Sequence, residues 1–262
     1  MNRIDEKFKL LDRRGKTAFM PFIVGGDPDI KTSLKIAQTL CETGDFLEIG
    51  VPYSDPLADG PTIQKADARA LKSGANPDGL FRLIKALRKT CDRPITLLVY
   101  ANMVFQRGIT KFYKDAVKSG VDGIVIPDVP LEEAEDFLKA SRAHNLKQIF
   151  LVSQTTGNER LKKILKYAEG YLYLVSVLGV TGARKKFGSQ TRQFIKRVRK
   201  QTQLPLCVGF GISTPAQFRQ MAKAGADGVI VGSAIVDIIA KNRDKKNLLP
   251  TLKKFIKLFS HT

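Results

Sequence analysis

Two acids stand out in the stretch FLEIGVPYSDPLADGP (46–61): Glu48, inside an apolar run, and Asp59, in the proline-rich loop that follows. If the run is a strand, its side chains alternate, so Leu47 and Ile49 share one face and Glu48 turns to the other. A carboxylate held among apolar neighbours is poorly solvated, and its pKa rises toward values useful for proton transfer near neutral pH. Asp59 by itself is ordinary Asp-Gly-Pro turn chemistry. On a loop stiffened by Pro52, Pro56 and Pro61 and beginning just after Glu48, it becomes a second acid that can divide acid and base roles with the first.

A second constellation is rich in glycine. GFGIS (209–213) and VGSAI (231–235) each follow an apolar run and lead into a helical pattern. Glycine permits close backbone approach, and N–H groups at a helix N-terminus favour negative charge, so this pair suits a phosphate group. SVLGVTGARKKFGSQ (176–190) has three glycines and no strong apolar period, which suits a loop that closes over a substrate. Tyr100 and Tyr173 lie in apolar runs and can line a pocket with aromatic walls. His144 and His261 are the only histidines and neither ends an apolar run, so a His-ligated metal or a His-based triad has no source. No nucleophile elbow, Walker loop or Schiff-base lysine stands out. The chemistry that remains is carboxylate acid–base work on a phosphorylated substrate.

Such residues must be positioned by a repeating frame. Apolar, β-branched runs at 18–24, 46–50, 94–100, 121–127, 148–152, 171–176, 204–210 and 226–232 read as eight strands. Amphipathic helical patterns such as SLKIAQTLCE, DGLFRLIKALRK and TPAQFRQMAKAG lie between them. Strand–helix alternation over this length predicts a single α/β domain, residues 1–262, folded as a (β/α)8 TIM barrel. Its functional face is the C-terminal end of the strands, where Glu48, the long loop and both glycine turns fall. SGVDGIVIPD (119–128) and AGADGVIVGS (224–233) are near copies and ETGDFLEIGV (42–51) a looser third, each with a Gly shortly before a strand. An extra N-terminal helix carries Ile4, Phe8 and Leu11 on one side, placed to cover the bottom of the barrel. A doubly wound open sheet uses the same alternation but needs a Gly-rich turn after its first strand, for which GGDP (25–28) is a faint match.

Lys and Arg number 44 against 25 Asp and Glu, a net charge of +19. Basic residues are dispersed, and the densest cluster, RQFIKRVRK (192–200), leaves Phe194, Ile195 and Val198 for a buried stripe, so a solvated helix face is expected rather than a nucleic-acid site. Cys41, Cys91 and Cys207 are odd in number and widely spaced, which indicates neither a disulfide framework nor a zinc site and fits a reducing cytoplasm. The charged N-terminus and the lack of a long apolar run imply neither leader nor membrane span.

Taken together, AFMPFIVGGDP, LEIGVPYSDPLADGPTIQ, VYANMVFQRGI, IPDVPLEEAEDF, YLYLVSVLGVTGA, GFGIS and VGSAIV closely resemble the tryptophan synthase α-subunit family over essentially the whole chain. The resemblance implies retro-aldol cleavage of indole-3-glycerol phosphate to indole and glyceraldehyde 3-phosphate. It implies that Glu48 protonates indole C3 and later takes the side-chain hydroxyl proton, and that Asp59 meets the indole N–H as positive charge develops there. Thr181 matches the lid threonine that meets this aspartate on closure. Gly182, Gly211, Gly232 and Ser233 match the phosphate site, and Phe22, Leu98, Tyr100, Leu151, Tyr173, Phe210 and Ile230 match indole-pocket or neighbouring positions. The family needs no cofactor in this subunit and no metal; pyridoxal phosphate belongs to the β subunit, which receives indole through a tunnel in an α2β2 complex. The charge of +19 is unusual for such a family. It leads to the expectation that the β subunit is acidic or that basic residues lie away from the β-facing segments, around Asp55 and Pro56 and after Asp128. The rival readings are a related phosphate-binding barrel, a lyase that releases free indole without β, and a basic barrel that binds nucleic acid or an acidic protein; the last has no need of Glu48, Asp59 and the phosphate loops together.

Overall fold

A computed structural model describes residues 2–175, 184–209 and 211–259, with residues 184–189 as backbone alone. Its strands are β1 (Ala18–Val24), β2 (Leu47–Gly50), β3 (Ile95–Leu98), β4 (Gly123–Val125), β5 (Lys147–Ser153), β6 (Leu172–Val175), β7 (Leu206–Gly209) and β8 (Gly228–Val231). All pair in parallel in chain order, and β8 returns to β1, so the sheet is a closed barrel as the alternation predicts. The helices around it are α1 (Arg3–Arg13), α2 (Ile30–Thr43), α3 (Pro61–Lys72), α4 (Pro77–Leu87), α5 (Ala101–Arg107), α6 (Ile109–Ser119), α7 (Glu135–Ala143), α8 (Asn158–Leu165), α9 (Arg184–Arg199), α10 (Pro215–Lys223), α11 (Ser233–Asn242) and α12 (Leu248–Lys257). Among the described residues no helix is long and apolar enough to cross a membrane.

Alternation along the strands sorts the core into two layers. Leu47, Ile49, Leu97, Ile124, Val152, Leu174, Val208 and Val229 pack outward against the helices. Met20, Phe22, Leu98, Tyr171, Tyr173, Cys207 and Ile230 fill the barrel axis. Helix α1 closes the bottom: Ile4, Phe8 and Leu11 are its buried face, and the Phe8 ring lies 4.6 Å from Phe46 and 5.9 Å from Tyr171.

The three repeated turns share one hydrogen bond. Asp122, Asp227 and Asp45 each precede a strand, and each carboxylate accepts the backbone N–H at or near the start of the preceding strand: Ile95 at 2.8 Å, Leu206 at 2.7 Å and Phe19 at 3.1 Å. Arg88, just past the end of α4, bonds Asp122, and Arg199, at the end of α9, bonds Asp227, so each arginine comes from the helix that leads into the clamped strand. The echo in sequence is therefore a clamp at the bottom of the barrel, which leaves the top free for chemistry.

Three expectations are corrected. Strand β3 stops at Leu98, so Tyr100 is not on a strand; it is the N-cap of α5, with φ −78° and ψ 144°. The segment expected as a loop over 176–190 is helical from Arg184 onward, and only its earlier part lies outside the described residues. Cys41 and Cys91 form a disulfide, because α2 packs on α4 and brings together two residues that are 50 apart in sequence.

Candidate active site

Glu48 enters the barrel axis as alternation requires. Its register partners are Phe22 on β1 and Thr96 on β3, and it is fully buried, with 0% of its surface exposed. Burial pushes the Glu48 carboxyl up to about 8, and the charge of Asp59 adds to the rise. The hydroxyls of Tyr171, Thr96 and Tyr173 oppose that shift electrostatically. Neither Glu48 oxygen has a hydrogen-bond partner among the described residues. The carboxyl is therefore protonated at neutral pH and oriented by packing rather than by a cation.

Asp59 is held differently. The Tyr100 hydroxyl donates to its Oδ2 at 2.7 Å and accepts the Ala58 N–H at 3.0 Å, so one phenol pins both the side chain and the backbone of the loop. Tyr53 stacks on Tyr100 with ring centroids 5.0 Å apart, and Asn102 donates to the Tyr53 hydroxyl at 3.3 Å. Partial burial raises the Asp59 pKa and the Tyr100 hydrogen bond lowers it, the net being upward. Tyr100, expected as a pocket wall, is thus also the residue that aims the second acid.

Glycines at the strand tops make room for aromatic rings. A Cβ on Gly209 would lie 2.5 Å from the Tyr173 hydroxyl, one on Gly50 would lie 2.9 Å from Phe22 Cζ, and one on Gly232 would lie 3.1 Å from Phe22 Cδ1. Phe22, Leu98, Tyr100, Tyr173 and Ile230 form one buried cluster, with Leu151 and Tyr53 packed on it. An apolar cluster of aromatic and aliphatic side chains thus packs beside the two acids.

At the two glycine turns expected to suit a phosphate, the structure distinguishes the helices that follow. The N-terminus of α10 is closed by a capping box between Thr214 and Gln217, and Gln217 also accepts the Ser213 N–H at 2.8 Å. The N-terminus of α11 has Gly232 as its cap, with no side-chain bond, so its first N–H groups remain available to an anion beside the exposed Ser233. Gly211 has φ +77°, a conformation that favours glycine. Thr181, Gly182 and Phe210 lie outside the described residues.

Reasoning from the sequence missed Thr96, Tyr171, Tyr53 and Asp67. Asp67 carries a signal in its place in the apolar stripe Ile63, Ala66, Ala70 of α3, whereas Thr96 emerges only from the strand register that sets it opposite Glu48. Among the described residues no group of three or more His, Cys, Asp or Glu side chains could hold a metal ion. A cavity of about 980 Å³ lies at the opposite end, lined by Phe8, Lys9, Lys16, Arg199 and Asp227 among others; it contains none of the expected site residues.

Comparison with known proteins agrees with this geometry. The family model described as tryptophan synthase alpha chain matches residues 8–260. The chain is 51% identical to the tryptophan synthase alpha chain of Methanoregula boonei, covering 92% of this chain and 91% of that one. It is 48% identical to that of Methanothermobacter thermautotrophicus, over 92% and 90%. The crystal structure of tryptophan synthase subunit alpha from Legionella pneumophila superposes with a TM-score of 0.92 at 36% identity, covering 100% of this chain and 98% of that one.

Proposed function

The chain belongs to the tryptophan synthase α-chain family, and from that premise we propose that Glu48 and Asp59 divide the work of cleaving indole-3-glycerol phosphate. The enzyme is a lyase that releases indole and glyceraldehyde 3-phosphate. The observation that carries the division of labour is the contrast in environment: a fully buried Glu48 and a half-buried, hydrogen-bonded Asp59. Glu48, protonated at neutral pH, gives its proton to indole C3, which leaves positive charge on the ring nitrogen. Asp59, aimed by Tyr100, meets the N–H where that charge develops. The Glu48 carboxylate then takes the proton of the adjacent side-chain hydroxyl. The carbon–carbon bond breaks, its electron pair returns to the ring, and the hydroxyl carbon becomes the aldehyde. One proton is given and one recovered, so the step as written balances with the protein's own groups.

Phe22, Leu98, Leu151, Tyr173, Phe210 and Ile230 serve as the indole chamber. Gly182, Gly211, Gly232 and Ser233 hold the phosphate, the open end of α11 providing its N–H groups. Thr181 meets Asp59 when substrate is bound.

A β subunit is the partner this family implies. We assign pyridoxal phosphate to that subunit and an α2β2 assembly to the cytoplasm. Segments 51–61 and 128–138 carry Asp55, Asp59, Asp128, Glu132, Glu133, Glu135 and Asp136 and no Lys or Arg, which favours the arrangement in which the +19 charge lies away from the partner. The test is indole release from indole-3-glycerol phosphate by wild type, Glu48→Gln and Asp59→Asn, with and without β subunit. Activity that rises with β and collapses in both variants is expected; wild-type rates in either variant would overturn that residue's role.

A further inference from the structure

Asp67 occupies a position where the pattern of α3 asks for an apolar residue. It lies one turn beyond Ile63, with Ala66 and Ala70 beside it, and only 4% of its surface is exposed. Its Oδ2 is buried without a hydrogen-bond partner. A buried carboxylate with no cation is costly, and such a group keeps its proton instead. Burial first, then the charge of Asp59, push the Asp67 carboxyl up to about 8; the Tyr53 N–H opposes this and Asp27 adds to it.

The groups that face Asp67 are accounted for from every element around it. Tyr53 and Asp59 come from the loop after β2, and Tyr100, whose hydroxyl is pushed up by Asp59 and Asp67 among others, comes from the start of α5. Asp27, in the loop after β1, is bonded through both oxygens to Arg69 of α3 at 2.8 and 2.9 Å, so the Arg69 cation is already committed. Helix α11 packs on α3, but its Asp237 and Lys241 pair with each other, and Arg243 beyond its end acts on Asp27. Strand β1, also against α3, has no titratable side chain. Glu48 is linked to the cluster through Asp59.

We propose that Asp67 is a positioning residue for the cleavage reaction: a neutral carboxyl group, buried beside Asp59 and Tyr53, that steadies the loop over 53–60 and leaves the negative charge of the Asp59–Asp67 pair on Asp59. The proposal rests on the role of Asp59 given above. Ionisation of Asp67 would put a second negative charge within electrostatic reach of Asp59, on a carboxylate with an oxygen that no donor meets. Either the loop moves or Asp59 takes up a proton, and both spoil its approach to the indole N–H.

The test uses the complex with β subunit, with kcat and KM for indole-3-glycerol phosphate cleavage measured from pH 6 to 10 and folding checked by circular dichroism. Asp67→Ala lowers kcat at pH 7 by roughly tenfold or more with little change in KM, and Asp67→Asn, which copies the neutral acid, recovers most of that loss. In wild type the fall of log kcat above about pH 8 steepens from one proton toward two, because Glu48 and Asp67 both ionise there; in Asp67→Asn only the one-proton slope of Glu48 remains. Equal losses in the Ala and Asn variants, a wild-type kcat in Asp67→Ala, or a wild-type alkaline limb in Asp67→Asn overturns the proposal. A wild-type kcat in Asp59→Asn overturns the underlying role of Asp59 instead, so the two failures are distinguishable.

Discussion

Replacing Glu48 by Gln should make the protein more stable and almost inactive, and the gain in stability should follow pH in a way set by the buried carboxyl. The side chain has an ordinary pKa of 4.5 and one of about 8 in the fold. Because the folded value is the higher, Glu48 costs nothing below about pH 4.5, where it is protonated in both states. Stability is then lost as pH rises through the window to about 8, and above that the penalty levels off. A difference of one in pKa is about 1.4 kcal/mol, so the penalty is on the order of 3 kcal/mol at pH 7 and 5 kcal/mol at its plateau. Gln has nearly the shape of the protonated acid and stays neutral at every pH, so the gain from Glu48→Gln is close to nothing at pH 4.5 and grows with the penalty as pH rises to about 8. For a chain of this size the gain at pH 7 corresponds to a rise in Tm of roughly 6–12 °C. Urea denaturation of both proteins at pH 4.5, 6 and 8 reads the difference directly. Cleavage by the same preparations should fall by roughly 10²–10⁴, the value of a positioned proton donor. A stability difference that is the same at all three pH values, or a variant less stable than wild type at pH 8, would refute the claim that burial holds Glu48 in its protonated form.

Tyr100→Phe removes both the 2.7 Å bond to Asp59 and the acceptor of the Ala58 N–H. Stability should fall by about 1–2 kcal/mol and kcat by roughly tenfold, read by denaturation and steady-state cleavage; unchanged kcat would show that this bond does not aim Asp59. Gly209→Ala places a Cβ 2.5 Å from the Tyr173 ring and hydroxyl, so the ring must shift. A loss of about 1–3 kcal/mol with a raised KM is expected, and a thermal melt with a wild-type KM would remove Tyr173 from the pocket wall. Asp122→Ala leaves the buried Ile95 N–H without its acceptor and Arg88 without its ion pair. It should cost about 3–5 kcal/mol in urea denaturation while the folded fraction cleaves substrate normally, since Asp122 lies at the far end of the barrel from the site.

The barrel was legible because each strand is a β-branched run bounded by turn residues, and closure follows from eight such runs with helices between. Strand ends were less so. The run 94–100 stays apolar beyond Leu98 because Val99 is buried in the outer core and Tyr100 beside the two acids, and periodicity does not separate such burial from that of a strand. Glu48 was legible from alternation alone. Tyr171 and Thr96 were not: a threonine in an apolar run reads as ordinary core until register sets it opposite Glu48, and a tyrosine just before a strand does so until closure of the barrel brings it to the same axis. The disulfide between Cys41 and Cys91 depends on how α2 packs on α4, a contact that no local pattern encodes. Gly188 and Ser189 gave 184–190 the look of a loop although its backbone is helical, because propensity is weak beside the packing of the later part of α9, where Phe194, Ile195 and Val198 are buried.

The position of each acid, rather than its chemical type, determines what it can do. A carboxyl on the barrel axis has eight strands around it and no exposed surface, so it is neutral at pH 7 and acts as a donor before it acts as an acceptor. A carboxyl on the following loop keeps partial solvation and a phenol donor, which temper the rise that burial gives its pKa, so it is better suited than Glu48 to answer positive charge. Exchanging the two would leave an anion in the core and a proton donor at the rim, the reverse of what protonation of a ring carbon requires. The ten residues between Glu48 and Asp59 are what allow one strand end to present both environments to a single substrate.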